Sequence, residues 1–382
     1  MIRVYYAERD TTLYESEPKQ NTGIDQILEL TKTASGSKLN GIIQESQFNT
    51  RILLDFGTEI TKIGTAVTNG EIPALTNSNS TSASAFLVLK AADASDLMIN
   101  YNVKAYPVSE SWNNGNGFYT SSPILKDGAS WYYRTSDDLE DEWNTGSAHS
   151  SGTSAGTTND TGGGTWITGS GFEASQSFQN ESPDIRINVT DIVKKWTDGG
   201  ITNNGFMIKR PYSEEIDGNV YGSLKFFGRD THTIYVPKLE ICWDDSSIND
   251  NGTQITSNTY VPYIKNIKAE YRRSDIARFF VGVRPEFPSR SYSTSSFYLT
   301  GDTLPLSSSF EILDSITNEV LMTDTDIFSD SKTKISQTAA LGSFFDLRMD
   351  SFMPERYYKI KLKCRRTNDT QTFDDFYFKV VN

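Results

Sequence analysis

Short runs of β-forming residues recur along this chain, and no long helical period interrupts them. Ser84-Ala85-Phe86-Leu87-Val88-Leu89-Lys90 is nearly all apolar, as a strand covered on both faces should be. Ile185-Arg186-Ile187-Asn188-Val189 alternates, with one face turned in and one turned out. The spacing predicts strands over 2–6, 26–32, 51–56, 84–90, 97–106, 184–190, 205–210, 221–228 and 233–243. A second series follows at 263–271, 277–284, 296–300, 308–313, 343–348, 357–364 and 373–381. The best helix candidate is Asp191–Trp196, with Thr190 or Asp191 to cap it and Gly199-Gly200 to end it. The predicted class is all-β.

A chain of 382 residues is long enough for two or three cores. The polar stretch 246–258 reads as a linker. It divides a jelly-roll-like sandwich over 1–245 from a smaller immunoglobulin-like sandwich over 259–382. Only 36% of residues are hydrophobic, but 21 Phe, 19 Tyr and 6 Trp fill β cores efficiently. The interval 108–182 breaks the strand rhythm and reads as a long loop insertion. Within it, Ser147 to Gly164 holds only small or polar residues and one His, too little apolar area to offset its ordering entropy. Trp112, Trp131, Trp143 and Trp166 are expected to pin this insertion to the sandwich.

The formal net charge of −13 argues against a nucleic-acid partner, which needs a basic face. Two distant cysteines, Cys242 and Cys364, exclude a disulfide framework and a four-cysteine metal site. His149 and His232 have no second His or Cys at ligand spacing. No G-x-S-x-G stands at a strand end, and no phosphate-cradling loop occurs. The acidic run Asp137-Asp138-Leu139-Glu140-Asp141-Glu142 could supply paired carboxylates, but a solvated face is the expected reading. Asn249-Asp250-Asn251-Gly252 lacks the spacing of a calcium loop. No enzymatic activity, cofactor or metal is expected.

No apolar run approaches a membrane span, and no charged segment followed by an apolar one opens the chain. Synthesis in the cytoplasm without a signal peptide, and no membrane partner, are expected. The candidate binding residues are aromatic: Trp112, Trp131, Tyr132 and Tyr133. They could stack on pyranose faces of a surface glycan. The competing reading, which aromatics favour, is that they bury area under the insertion.

Asp10-Thr11-Thr12-Leu13-Tyr14-Glu15, Asn21-Thr22-Gly23-Ile24-Asp25-Gln26-Ile27-Leu28-Glu29-Leu30 and Arg51-Ile52-Leu53-Leu54-Asp55-Phe56 look like the start of DNRLRE-type sandwich domains. Val189-Thr190-Asp191-Ile192-Val193-Lys194-Lys195-Trp196, Asn204-Gly205-Phe206-Met207-Ile208 and Pro237-Lys238-Leu239-Glu240-Ile241 resemble the second half of the same family. That family is similar to jelly-roll carbohydrate-binding modules of secreted bacterial proteins and viral particles. The whole-chain pattern, with Pro354-Glu355-Arg356-Tyr357-Tyr358-Lys359-Ile360 and Phe373–Val381, resembles virion structural proteins of marine tailed bacteriophages with contractile tails. The resemblance implies a structural protein of the neck, tail or baseplate region, located in the virion. Its partners would be other virion proteins, copies of itself in a homo-oligomer, or a surface glycan. The alternative it implies is a carbohydrate-binding module for attachment to a host-surface glycan. No functional residue carries over, because the matching positions look like core and turn positions.

Overall fold

The computed structural model describes residues 1–39, 42–76, 82–139, 141–143, 162–179, 182–249, 254–287, 302–323, 332–366 and 369–382. The predicted strand 296–300, Glu140, His149, residues 250–252 and nearly all of the polar stretch 147–164 lie outside these. The chain divides into two compact units. One takes Tyr5–Asn77 and Ser84–Glu240, and the other is built chiefly from Met1–Val4 and Ile241–Asn382.

The first series of elements is β1 (Ile2–Tyr6), β2 (Arg9–Tyr14), β3 (Ile27–Leu39), β4 (Ile42–Asp55) and helix α1 (Gly57–Thr68). Next come β5 (Ser84–Leu89), β6 (Ala91–Ser95), β7 (Asn100–Pro107), β8 (Ala174–Gln179), β9 (Ile185–Asn188) and helix α2 (Thr190–Thr197). β10 (Phe206–Lys209), helix α3 (Tyr212–Ile216), β11 (Gly222–Phe227) and β12 (Lys238–Cys242) follow. They form a jelly-roll-like sandwich. One sheet runs β1-β12-β5-β9 and the other, of eight strands, runs β6-β11-β3-β4-β10-β7-β8 with β2 also paired to β4. β4 is the spine of the larger sheet. Its first half pairs with β3, while Ile52 and Leu54 lie between Thr12 and Asp10 of β2 and Ile208 and Phe206 of β10.

The long interval 108–182 is not loop throughout. β8 adds to β7 in antiparallel register, with Tyr101 opposite Phe178 and their rings stacked at 4.6 Å. The helix expected at 191–196 is α2. Its cap is neither Thr190 nor Asp191. Asn188 Oδ1 accepts the Thr190 N–H at 3.1 Å, and the Thr190 hydroxyl serves Ala85 instead. Helix α1 is absent from the sequence reading. Its β-branched residues suggest a strand; Asp55 Oδ1 accepts the Gly57 N–H at 2.8 Å, and a second first-turn donor is satisfied from far away, by Glu8 Oε1 accepting the Thr58 N–H at 3.0 Å. Ile60, Ile63 and Ala66 supply its buried face.

The other unit contains β13 (Ile248–Asn249), β14 (Tyr260–Ile264), β15 (Glu270–Arg272), β16 (Ile276–Pro285) and β17 (Ser309–Asp314). It ends with β18 (Val320–Met322), β19 (Ser336–Thr338), β20 (Gly342–Arg348), β21 (Arg356–Arg366) and β22 (Asp369–Val381). Two five-stranded sheets, β13-β19-β20-β16-β14 and β15-β22-β21-β17-β18, make a second β-sandwich. Aromatic rings join them: Phe310 of β17 stacks on Phe345 of β20 at 4.2 Å, and Phe279 of β16 meets Phe378 of β22 at 6.1 Å. The run 263–271, expected as one strand, is split between β14 in one sheet and β15 in the other. Part of the 246–258 stretch is held in this sandwich, since β13 pairs in parallel with β19 and Ile255 is buried.

Candidate functional site

The site builds outward from Asn21, whose side chain is fully buried. Its Nδ2 donates to the carbonyls of Asn114 and Ala129, both at 2.8 Å. Its Oδ1 accepts the N–H of Gly117 at 2.8 Å and of Gly23 at 3.2 Å. Every donor and acceptor position of the amide is thereby used. Asn114 returns the bond, with Nδ2 donating to the Gly23 carbonyl and Oδ1 accepting the Asp10 N–H. A Cβ at Gly117 would collide with the Asn21 carbonyl, so only glycine allows this approach. The start of the insertion is thus clamped to the sandwich.

A second clamp is aromatic. Trp112, Trp131, Trp143 and Trp166 are buried in one cluster with Leu13, Leu53, Tyr106, Val108 and Met207, and Tyr132 packs at its edge. Trp112 Nε1 donates to the Asn204 carbonyl at 2.8 Å, and Trp143 Nε1 to the Ser130 carbonyl at 2.9 Å. Three of the four predicted sugar-stacking residues are therefore interior, and the fourth, Tyr132, is partly exposed. Trp112 is 1% exposed, Trp131 4% and Tyr133 8%, and protein atoms cover their ring faces. Burial of this much ring area fastens the insertion down; it does not present the rings to a glycan.

Charges lie inside this cluster. The fully buried Arg51 guanidinium sits 4.8 Å from the Trp131 ring and 5.1 Å from the Trp166 ring. It forks onto Glu215 of α3 and also donates to the Gly163 carbonyl at 2.7 Å. Gly163 has φ +79°, and a Cβ there would strike the guanidinium. Lys209 Nζ lies 2.7 Å from Glu215 Oε2. Burial works against the Glu215 charge, but Arg51 and Lys209 outweigh it and hold the carboxyl below its ordinary range. Burial pulls the Lys209 ammonium down to about 8 in spite of Glu215. Asp10 is the opposite case. Its Oδ2 accepts the Arg229 N–H at 2.5 Å, its Oδ1 has no partner among the described residues, and burial pushes the carboxyl up to about 7.

Two acids of the run, Asp137 and Asp141, are held in ion pairs. Asp137 is bound by Lys126 at 2.5 Å and Lys19 at 3.3 Å, and hydrogen bonding to Lys126 holds it down to about 2. Asp141 pairs with Arg134. No group of three or more His, Cys, Asp or Glu able to hold a metal occurs among the described residues. No helix among them is long and apolar enough to cross a membrane.

Two surface features were missed from sequence. Phe118, Tyr119, Ile124 and Leu125 of the clamped loop are 41–48% exposed. The available signal was an uncharged run, Phe118 to Leu125, between the turn residues Asn116-Gly117 and Asp127-Gly128. The second feature is a groove of about 420 Å³ between α1 and α2, lined by Ile60, Thr61, Gly64, Thr65, Trp196 and Asn203 among others.

No family model and no curated protein matches this chain. Among solved structures, a Parabacteroides merdae β-glucuronidase is similar over 80% of this chain at 10% identity and a TM-score of 0.16. This chain spans 28% of that structure's length, and a likeness that weak carries no argument.

Proposed function

We propose that this chain is a bacteriophage virion structural protein of the neck, tail or baseplate region, acting through protein–protein interfaces. The observation that carries this reading is the clamped insertion. Buried hydrogen bonds, tryptophans and an ion pair fix a loop on which four large apolar side chains stay 41–48% exposed. Large apolar side chains left this exposed suit a contact surface, and a loop that is already ordered loses little entropy on docking. The glycan-attachment alternative is not favoured, because its aromatic platform is buried. Mass spectrometry of purified particles, followed by a cryo-EM map, tests the proposal. The chain should be present in stoichiometric amounts, with Phe118–Leu125 against a neighbouring subunit. Its absence from particles would overturn the reading.

A further inference from the structure

Strand β21 carries six Lys or Arg among its eleven residues and no acid, on a chain of net charge −13. Four of the six are answered nearby. Arg356 pairs with Asp314, Lys359 with Asp374, and Lys361 and Lys363 share Glu311. Towards the end of the strand the cations gain on the acids. There Arg365 and Arg366 line a cavity of about 550 Å³ whose lining includes no acidic side chain. Gln254, Thr256 and Ser307 add an amide and two hydroxyls, all able to donate to an anion. Ile255, Pro305 and Leu306 supply an apolar wall. The volume falls within the roughly 300–1,000 Å³ of sites that hold small molecules.

Arg366 is fixed in place before any ligand arrives. Its Nη2 donates to the carbonyls of Ile255 at 2.9 Å and Ser257 at 2.6 Å, and its Nη1 to Asn258 Oδ1 at 3.4 Å. Its guanidinium lies 4.8 Å from the Tyr260 ring. These acceptors use three of the five N–H donors of a guanidinium, so donors remain. Asp369 stands opposite Arg366 across the β21–β22 ladder, but it does not line the cavity, and its Oδ2 accepts the Gln371 amide at 2.8 Å. Forked N–H groups match the oxygens of a phosphate, and two arginines balance a dianion better than the single charge of a carboxylate. We propose that this cavity binds a phosphomonoester, with the phosphate on Arg365 and Arg366 and the organic group along Ile255, Pro305 and Leu306. The site belongs to the second sandwich and does not rest on the structural-protein reading.

Isothermal titration calorimetry of the purified full chain tests it, with phenyl phosphate and inorganic phosphate as the probes. At about pH 7.5 the ester is largely a dianion. Phenyl phosphate should bind at one site, several-fold more tightly than inorganic phosphate, which cannot use the apolar wall. Arg365→Gln should weaken it about tenfold or more, the loss expected for a hydrogen bond between charged groups. Leu306→Asp places an acid in the wall at a 38% exposed position and should abolish binding. Lys359→Gln is the control. It lies on the same strand about 20 Å from Arg365, beyond the Debye length of about 8 Å at physiological salt, and should change the affinity less than about twofold. Circular dichroism and melting of all three variants should match the parent. A parent chain that binds neither compound overturns the proposal, as does affinity that Arg365→Gln and Leu306→Asp both leave unchanged. An equal loss in Lys359→Gln would reduce the effect to diffuse surface charge and overturn the site as well. Equal affinity for the two compounds would overturn the apolar half of the assignment.

Discussion

Arg51 meets Glu215 through two parallel hydrogen bonds, Nε to Oε1 at 3.0 Å and Nη2 to Oε2 at 2.9 Å, with both side chains sealed from water. Strand β4 and helix α3 are tied by this fork, and the rings of Trp131 and Trp166 lie against its guanidinium.

Replacing Glu215 should be far more harmful than its small helix suggests. Glu215→Gln leaves two buried cations, Arg51 and Lys209, short of their counter-charge. Breaking a buried pair from one side costs about 3–5 kcal/mol. Urea unfolding should show that loss, while the triple change Arg51→Met, Lys209→Met, Glu215→Leu should recover most of it.

Asp10 should make the first unit more stable as the solution turns mildly acid. Its folded carboxyl titrates at about 7, above the ordinary value of 3.8, so the folded state binds the proton more tightly. The penalty for burying the charge is complete above pH 7 and is relieved as pH falls towards 4. Asp10→Asn should melt higher than the parent at pH 8, and the gap should narrow by pH 5. A gap independent of pH would show that Asp10 is not the titrating group.

Asn21→Ala should free the insertion without unfolding the sandwich core. It orphans the Gly117 N–H and two carbonyls, each buried unpaired group costing about 1–3 kcal/mol. Hydrogen exchange should accelerate at Gly117 and Ala129 well before it does in β4. Equal protection in both proteins would mean that the tryptophans alone hold the loop.

Trp131→Ala should behave as a core truncation, costing about 3–5 kcal/mol, because the ring is 4% exposed. Thermal melting reads this directly. Unchanged stability together with lost glycan binding on an array would restore the stacking role that burial argues against.

The sequence by itself determined the class and most of the strands. β1 matches the alternation at 2–6, and β5, β11, β16, β20 and β21 fall within one or two residues of their predicted runs. Alternating burial is a local consequence of the pleat, so neighbouring residues suffice to reveal it. Helix α2 was legible for the same reason, through Ile192, Val193 and Trp196 on one face. Tertiary structure decided the rest. The first turn of helix α1 takes one of its acceptors from Glu8, fifty residues before the Thr58 N–H it receives. Trp131 could have been a platform or an anchor, and only the fold around Arg51 and Leu13 makes it an anchor. Arg51, Lys209 and Glu215 look like ordinary surface charges in the sequence. They meet from two distant segments, β4 and the β10–α3 stretch, and no local pattern encodes which charges will meet.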